Sequence, residues 1–175
     1  MTNSLCRLVL ARLNPRIGLL VINIRKYQQG DESALRQLFY NTIRHVNTRD
    51  YTEEQVKAWA PDDYDKSAWA IKIQKINPFV ATIDEEIVGY ADIQDDGYVD
   101  HFFCHADYQG KGIGKTLMNK IFAAGKAKGV PRFYAHASIT ARPFFEHFGF
   151  RVIKEQQVEI RGQVLTNFVV EKQPA

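Results

Sequence analysis

"DYQGKGIGKTLM", residues 107–118, places three glycines at alternate positions just before a helical pattern. Glycine tolerates backbone conformations closed to other residues, so such a turn lets main-chain N–H groups approach an anion. The helix that follows adds the partial positive charge of its N-terminus. The stretch therefore reads as a phosphate site, and its spacing decides which kind. A P-loop requires G-x-x-x-x-G-K-[ST]; Gly114, Lys115 and Thr116 supply its end, but its opening glycine falls on Gln109. A dinucleotide fingerprint requires G-x-G-x-x-G and an acidic residue about 20 positions on. Gly110 and Gly112 fit, the third glycine falls on Lys115, and no Asp or Glu occurs between Tyr108 and Phe145. Both readings fail.

Outward from the loop, "IGKTLMNKIFAAGKAK" predicts a helix with Ile113, Leu117, Ile121 and Ala124 on its inner face. Upstream, "FVATI", "IVGYADI" and "GYVDHFFC" predict three antiparallel strands with turns at residues 84–86 and 95–97. Before them, "INIRKY" alternates as a strand. "GDESALRQLFYNTIRHV" predicts a helix capped by Asp31 or Ser33, with Leu35, Leu38, Phe39, Thr42 and Val46 on one stripe. "DYTEEQVKAWA" opens with Thr52 and Gln55 spaced as a capping box, and "SAWAIKIQKI" reads as a short third helix. Downstream come a strand "RFYAHA", a short helix "TARPFFEHF" closed by Gly149, and a hairpin turning at Arg161-Gly162. The order predicts a mixed α/β fold around one largely antiparallel sheet flanked by helices, not a doubly wound parallel array.

The spacing that remains at the loop is Q-x-x-G-x-G, on Gln109, Gly112 and Gly114. Between a strand and a helix it resembles the acyl-CoA-binding motif [QR]-x-x-G-x-[GA] of the GNAT N-acetyltransferase superfamily. Lys111, Lys115, Lys120, Lys126, Lys128, Arg132 and Arg142 follow with no acid among them, which suits a ligand with several phosphate charges. "ASITARPFFEHFGF" (137–150) is similar to the superfamily's segment that ends in a short helix and Gly-Phe. With "YTEEQVKAWA" and "RGQVLTNFVVEK" it resembles a bacterial YafP-like subgroup. The resemblance spans roughly residues 22–172. It implies acetyl-CoA as donor and direct acetyl transfer to an amine of a small molecule or a protein. The residues it sets around the donor are Phe102, Phe103, Cys104, Gln109, Gly110, Lys111, Gly112, Ile113, Gly114, Lys115, Ser138, Arg142 and Phe145. A non-catalytic acyl-CoA-binding sensor is the alternative.

Direct transfer needs a neutral amine. An aliphatic amine of pKa about 10.4 is only about 0.1% neutral at pH 7.4, so removing its proton is worth up to roughly 4 kcal/mol. Alternation in "GYVDHFFC" sets Tyr98, Asp100, Phe102 and Cys104 on one face and Val99, His101 and Phe103 on the other. The resemblance places Asp100 where several relatives carry a catalytic Glu, which makes it the expected base, with His101 in reserve. Backbone amides around Phe103 and Cys104 are the expected donors to the thioester oxygen. Cys104 as a nucleophile lacks an evident base. Phe144-Phe145 stands where relatives often have Phe-Tyr, so the usual acid for the leaving thiolate is absent and Tyr134 is the substitute to consider. Tyr51, Gln55 and Trp59, spaced i, i+4, i+8, are expected on one helical face as an acceptor wall. The acids Asp62, Asp63 and Asp65 would favour a cationic acceptor.

With 175 residues the chain suits one transferase domain, residues 22–172, behind a dispensable extension at 1–21 that holds Arg7, Arg12, Arg16 and Pro15. A net charge of +3 is too small to argue for nucleic acid, and no apolar run approaches the roughly 20 residues that span a bilayer. Cys6 and Cys104 have neither metal nor redox spacing, so no metal is expected, and a cytoplasmic monomer or homodimer is.

Overall fold

A computed structural model describes residues 21–174. Cys6 and all but the last residue of the expected extension lie outside the described residues. The elements follow in the predicted order: β1 (Asn23–Lys26), α1 (Glu32–His45), α2 (Glu53–Trp59), α3 (Lys66–Ile76), β2 (Phe79–Ile83), β3 (Glu86–Ala91), β4 (Tyr98–Val99), β5 (Phe102–Cys104), α4 (Ile113–Lys128), β6 (Phe133–Ser138), α5 (Arg142–His147), β7 (Arg151–Ile160) and β8 (Gln163–Lys172).

Strand alternation puts one helix layer on each face of the sheet. Val80 is buried with Leu35, Leu38, Ile73 and Tyr90, against α1 and α3. Its neighbours Phe79, Ala81 and Ile83 are buried with Ile113, Leu117, Met118 and Ile121 of α4. Every residue of β2 is buried, as a strand covered on both sides must be. Truncating a wholly buried residue such as Leu117 costs about 2–5 kcal/mol.

The central sheet is divided into two four-stranded halves, β1-β2-β3-β5 and β4-β6-β8-β7. All pairings are antiparallel except β4 with β6. The stretch expected as one strand, residues 98–104, is broken at Asp100 and His101. Tyr98 and Val99 pair with β6, while Phe102 to Cys104 pair with β3. The third strand of the expected meander thus belongs to both halves, and a cleft opens where they part.

Local chemistry sets the ends. The Thr52 side chain accepts from the Gln55 amide, and Gln55 Oε1 accepts from Thr52, which completes the predicted capping box. Asp31 occupies the N-cap of α1 but caps nothing. Its carboxylate accepts from Arg25 at 2.6 and 2.9 Å and from the Gln28 amide at 2.9 Å, tying the helix start to β1 instead. At the close of α5, Gly149 takes φ +83° and Phe150 N–H donates to Phe145, a Schellman end.

Gly97, just before β4, has φ +87°, and a Cβ there would lie 1.7 Å from the Arg132 carbonyl oxygen. Its own carbonyl accepts from Tyr134, so it sets the parallel pairing of β4 with β6. Gly97→Ala is expected to cost at least about 3 kcal/mol, roughly 10 °C in Tm. Thermal unfolding measures this, and a loss under 3 °C would show that the two halves do not depend on this contact.

Candidate active site

The cleft between the half-sheets holds a cavity of about 410 Å³ that runs from the start of α4 and α5 to the end of α1 and Trp59 of α2. At the first mouth, Gly110 and Gly112 take φ +74° and +85°, which turns the chain sharply into α4. The first intrahelical bond runs from Thr116 N–H to Gly112. The N–H groups of Ile113, Gly114 and Lys115 therefore have no acceptor within the helix. Three oriented donors, a helix N-terminus and the Lys115 ammonium in one cavity wall fit the diphosphate of an acyl-CoA. Gly114 must be small, because a Cβ there would meet the Phe144 ring at 2.9 Å. Gln109 also lines the cavity, but its amide donates to the carbonyls of Cys104 at 2.9 Å and His105 at 3.3 Å, fastening the loop to β5. Two expected donor contacts lie off the cavity wall. Lys111 rests over the Tyr108 ring, and Arg142 binds Glu146 and covers Phe168 beside a shallower pocket.

Strand β5 ends its half-sheet, so one of its edges has no strand partner. Asp92 N–H donates to His101 and His105 N–H to Val88, which assigns odd-numbered main-chain groups to β3. Alternation then aims the main chain of Phe102 and Cys104 into the cleft. The Cys104 carbonyl on that side accepts from the Thr42 hydroxyl at 2.9 Å. The cleft-facing N–H donors are therefore those of Phe102 and Cys104. Phe103 was expected among the donors, but its N–H points to β3 and its ring lies with Phe39 and Tyr90. Burial pushes the Cys104 thiol up to about 12, so it stays protonated at neutral pH and is no nucleophile.

The break between β4 and β5 is held by Asp92, which is 1% exposed. Its N–H donates to the His101 carbonyl, and its Oδ1 accepts from the His101 N–H at 2.6 Å. Alternation fails here, so Asp100 is not on the face of Phe102 and Cys104. Its carboxylate lies 3.3 Å from Lys72 of α3 and 3.4 Å from the Tyr98 hydroxyl, and it lines the cleft. His101 stands behind it, 4% exposed, packed among Phe39, Trp69, Tyr90 and Phe103 and outside the cavity wall. Burial, with the Lys72 charge nearby, holds the imidazole well below its ordinary pKa, so it is neutral. Burial also keeps the Tyr90 phenol protonated. The Tyr90 hydroxyl and His101 Nδ1 share a hydrogen bond of 2.9 Å, and His101 Nε2 lies 3.8 Å from Asp100 Oδ2.

The other expected groups divide. Tyr134 is outside the cleft, and its hydroxyl donates to Asp96, which raises its pKa. Phe145 is buried in the wall, and Ser138 lines the cleft while accepting from the Ala141 amide. Of the acceptor set, only Trp59 reaches the cavity. Tyr51 precedes the N-cap Thr52, so it cannot share a helical face with Gln55. Its hydroxyl donates to Thr166 and accepts from Ile139, bracing β8 against the end of β6. Gln55 completes the cap and donates to Val164. Asn47, Arg49 and His136 line the cavity and were missed. Alternation in "RFYAHA" could have found His136, opposite the buried Ala135 and Ala137; no periodicity marks Asn47 or Arg49, which sit in a 3-10 turn after α1.

A split sheet whose cleft joins a glycine-opened helix to an edge of free amide donors defines an acyl-CoA-dependent acyltransferase. Residues 47–172 match the acetyltransferase (GNAT) domain family. The chain is 34% identical over 153 residues to the uncharacterised N-acetyltransferase YafP of Escherichia coli (strain K12), covering 87% of this chain and 97% of that one. A GCN5-related N-acetyltransferase from Rhodopseudomonas palustris superposes with a TM-score of 0.83 at 28% identity, over 86% of this chain and 94% of that one. The PaiA N-acetyltransferase of Thermoplasma acidophilum, solved with coenzyme A, shares the fold at a TM-score of 0.68 and 20% identity, over 88% and 99% of the two chains. The chain belongs to the GNAT acetyltransferase family, YafP-like in sequence, and is an N-acetyltransferase with acetyl-CoA as donor. Among the described residues no helix is long and apolar enough to cross a membrane.

Asp92 and His101 give the site a pH signature. Burial pushes the Asp92 carboxyl up to about 6, so its contribution to stability grows as pH falls from there towards 3.8. Folded His101 refuses the proton that the unfolded chain accepts below about 6.5, so its contribution shrinks over much of the same window. The two oppose each other in the native protein. In Asp92→Asn only the histidine contribution remains. Between about pH 6.5 and 4.5 the variant's Tm is expected to fall more steeply than the native protein's, by about 3 °C, or on the order of 1 kcal/mol. Parallel Tm curves would refute the assignment.

Proposed function

We propose that the cleft moves acetyl from acetyl-CoA to a primary amine, with Asp100 receiving the amine's proton directly or through one water. Acetyl-CoA supplies the acetyl group as a thioester, which the amine displaces from sulfur. Residues 22–172 form the transferase unit in this reading. The N–H groups of Ile113, Gly114 and Lys115 hold the diphosphate, and those of Phe102 and Cys104 hold the thioester oxygen as it gains charge. The observation that carries the reading is the position of the Asp100 carboxylate. The break after β4 turns it into the same cleft as those donors, yet leaves its side chain 30% exposed, within reach of an entering amine. Lys72 at 3.3 Å and the Tyr98 hydroxyl at 3.4 Å orient it.

Neither Tyr134 nor Phe145 can protonate the departing sulfur. A thiolate of pKa about 8.5 leaves tolerably without an acid and takes its proton from water. A reducing, cytoplasmic setting fits this reading, since Cys104 borders the acetyl site as a free thiol.

Thiol release with acetyl-CoA and a panel of amines tests it. Asp100→Asn is expected to lower kcat/KM by about 10²- to 10⁴-fold with CoA affinity retained. The variant's rate should keep climbing with pH as the ammonium loses its proton to solvent, while the native rate levels off. A variant within twofold of the native enzyme would place the base elsewhere.

A further inference from the structure

From the acceptor end of the cleft we infer that the accepted amine also carries a carboxylate: an amino-acid-like zwitterion with an apolar body. The inference rests on the acetyl-transfer reading above and adds the acceptor's chemical class.

The walls there are apolar: Val46, Trp59, Val99 and Phe103 all line the cavity. Set into them is Asn47, whose residue is only 5% exposed. Its backbone carbonyl accepts from Asp50 and Tyr51, which fixes the turn. Asn47 lines the cavity, and no hydrogen bond joins its side-chain amide to another described residue; the amide is not among the sealed, unpaired polar atoms, so it is open to solvent. Such an amide takes its partners from water or from a ligand in the cavity. Two residues on, Arg49 lines the same cavity and forms no ion pair among the described residues. The neighbouring Asp50 carboxylate instead accepts from the Thr140 hydroxyl at 2.7 Å. A guanidinium beside a free amide is a fork for a carboxylate.

The opposite charge is single and already has one partner. Among the described residues Asp100 is the only carboxylate in the cavity wall, and Lys72 stands 3.3 Å from it. The acids that would have favoured a cationic acceptor are turned elsewhere. Asp62 accepts from Tyr40 and Arg44, Asp65 caps α3, and Asp63 is absent from the wall. One carboxylate for the amine, one guanidinium and one amide for an anion, and apolar walls between them suit a zwitterion. A polyamine would meet Arg49 with no second acid to offset it.

Titration calorimetry on the full chain saturated with CoA separates these cases. The probes are the matched pairs L-phenylalanine with phenethylamine and L-leucine with isoamylamine, and spermidine. At least one amino acid is expected to bind about tenfold or more tightly than its decarboxylated partner and than spermidine. Arg49→Gln and Asn47→Ala should each bring that ratio towards one while CoA affinity holds. Equal or tighter binding of the decarboxylated amines or spermidine would overturn the inference. So would an unchanged ratio in Arg49→Gln, or no binding by either amino acid. Thiol release is read separately. Discriminating binding without turnover would sink the acetyl-transfer reading alone, and turnover confined to amines without a carboxylate would sink this inference alone.

Discussion

The site depends on one side chain standing in for a strand. Where residues 98–104 leave one half-sheet for the other, the backbone of His101 would lose its partner inside the protein. A buried N–H with no acceptor costs about 1–3 kcal/mol. Asp92 meets that cost from both sides, donating its own N–H to the His101 carbonyl and accepting the His101 N–H on its carboxylate. The strand can then break without an orphaned donor. Because it breaks, β5 presents a free edge, Asp100 leaves the expected alternation, and a cavity exists at all.

The same break arranges the electrostatics. The Asp92 carboxylate, His101 and Tyr90 are buried together behind Asp100; burial holds the His101 imidazole neutral and the Tyr90 phenol protonated, and raises the Asp92 carboxyl to about 6. Asp100 alone in that cluster reaches the cavity. In the proposed reading a proton that enters or leaves uses that one side chain. The donor end is built in the opposite way, from main-chain N–H groups that glycines bring within reach, so it needs few particular side chains.

That difference explains what the sequence could and could not say. Hydrophobic period, the Thr52 and Gln55 box, the Gly149 stop and the Arg161-Gly162 turn are local signals, and each element they predict is present. The loop glycines were readable because a short contiguous motif carries their whole geometry. The break at Asp100 was not readable, because "GYVDHFFC" alternates without fault and its partner lies eight residues upstream in Asp92. Tyr51 and Gln55 misled for a related reason: the i, i+4 rule holds only inside a helix, and Tyr51 lies before the cap. His101 and Tyr134 were plausible by residue type, but burial removed one and register the other.

The two ends of the cleft therefore diverge in how much their residue identities matter. A site made of backbone donors accepts the same carrier whatever side chains surround it, and here it does so with phenylalanine where relatives often keep a tyrosine. A site made of side chains selects. Three polar side chains of the cavity sit outside the helices and strands numbered above or at a break between them: Asn47 and Arg49 in the 3-10 turn after α1, Asp100 at the strand rupture. In the proposed reading the fold holds the acetyl donor with main-chain groups and leaves the choice of amine to a few side chains.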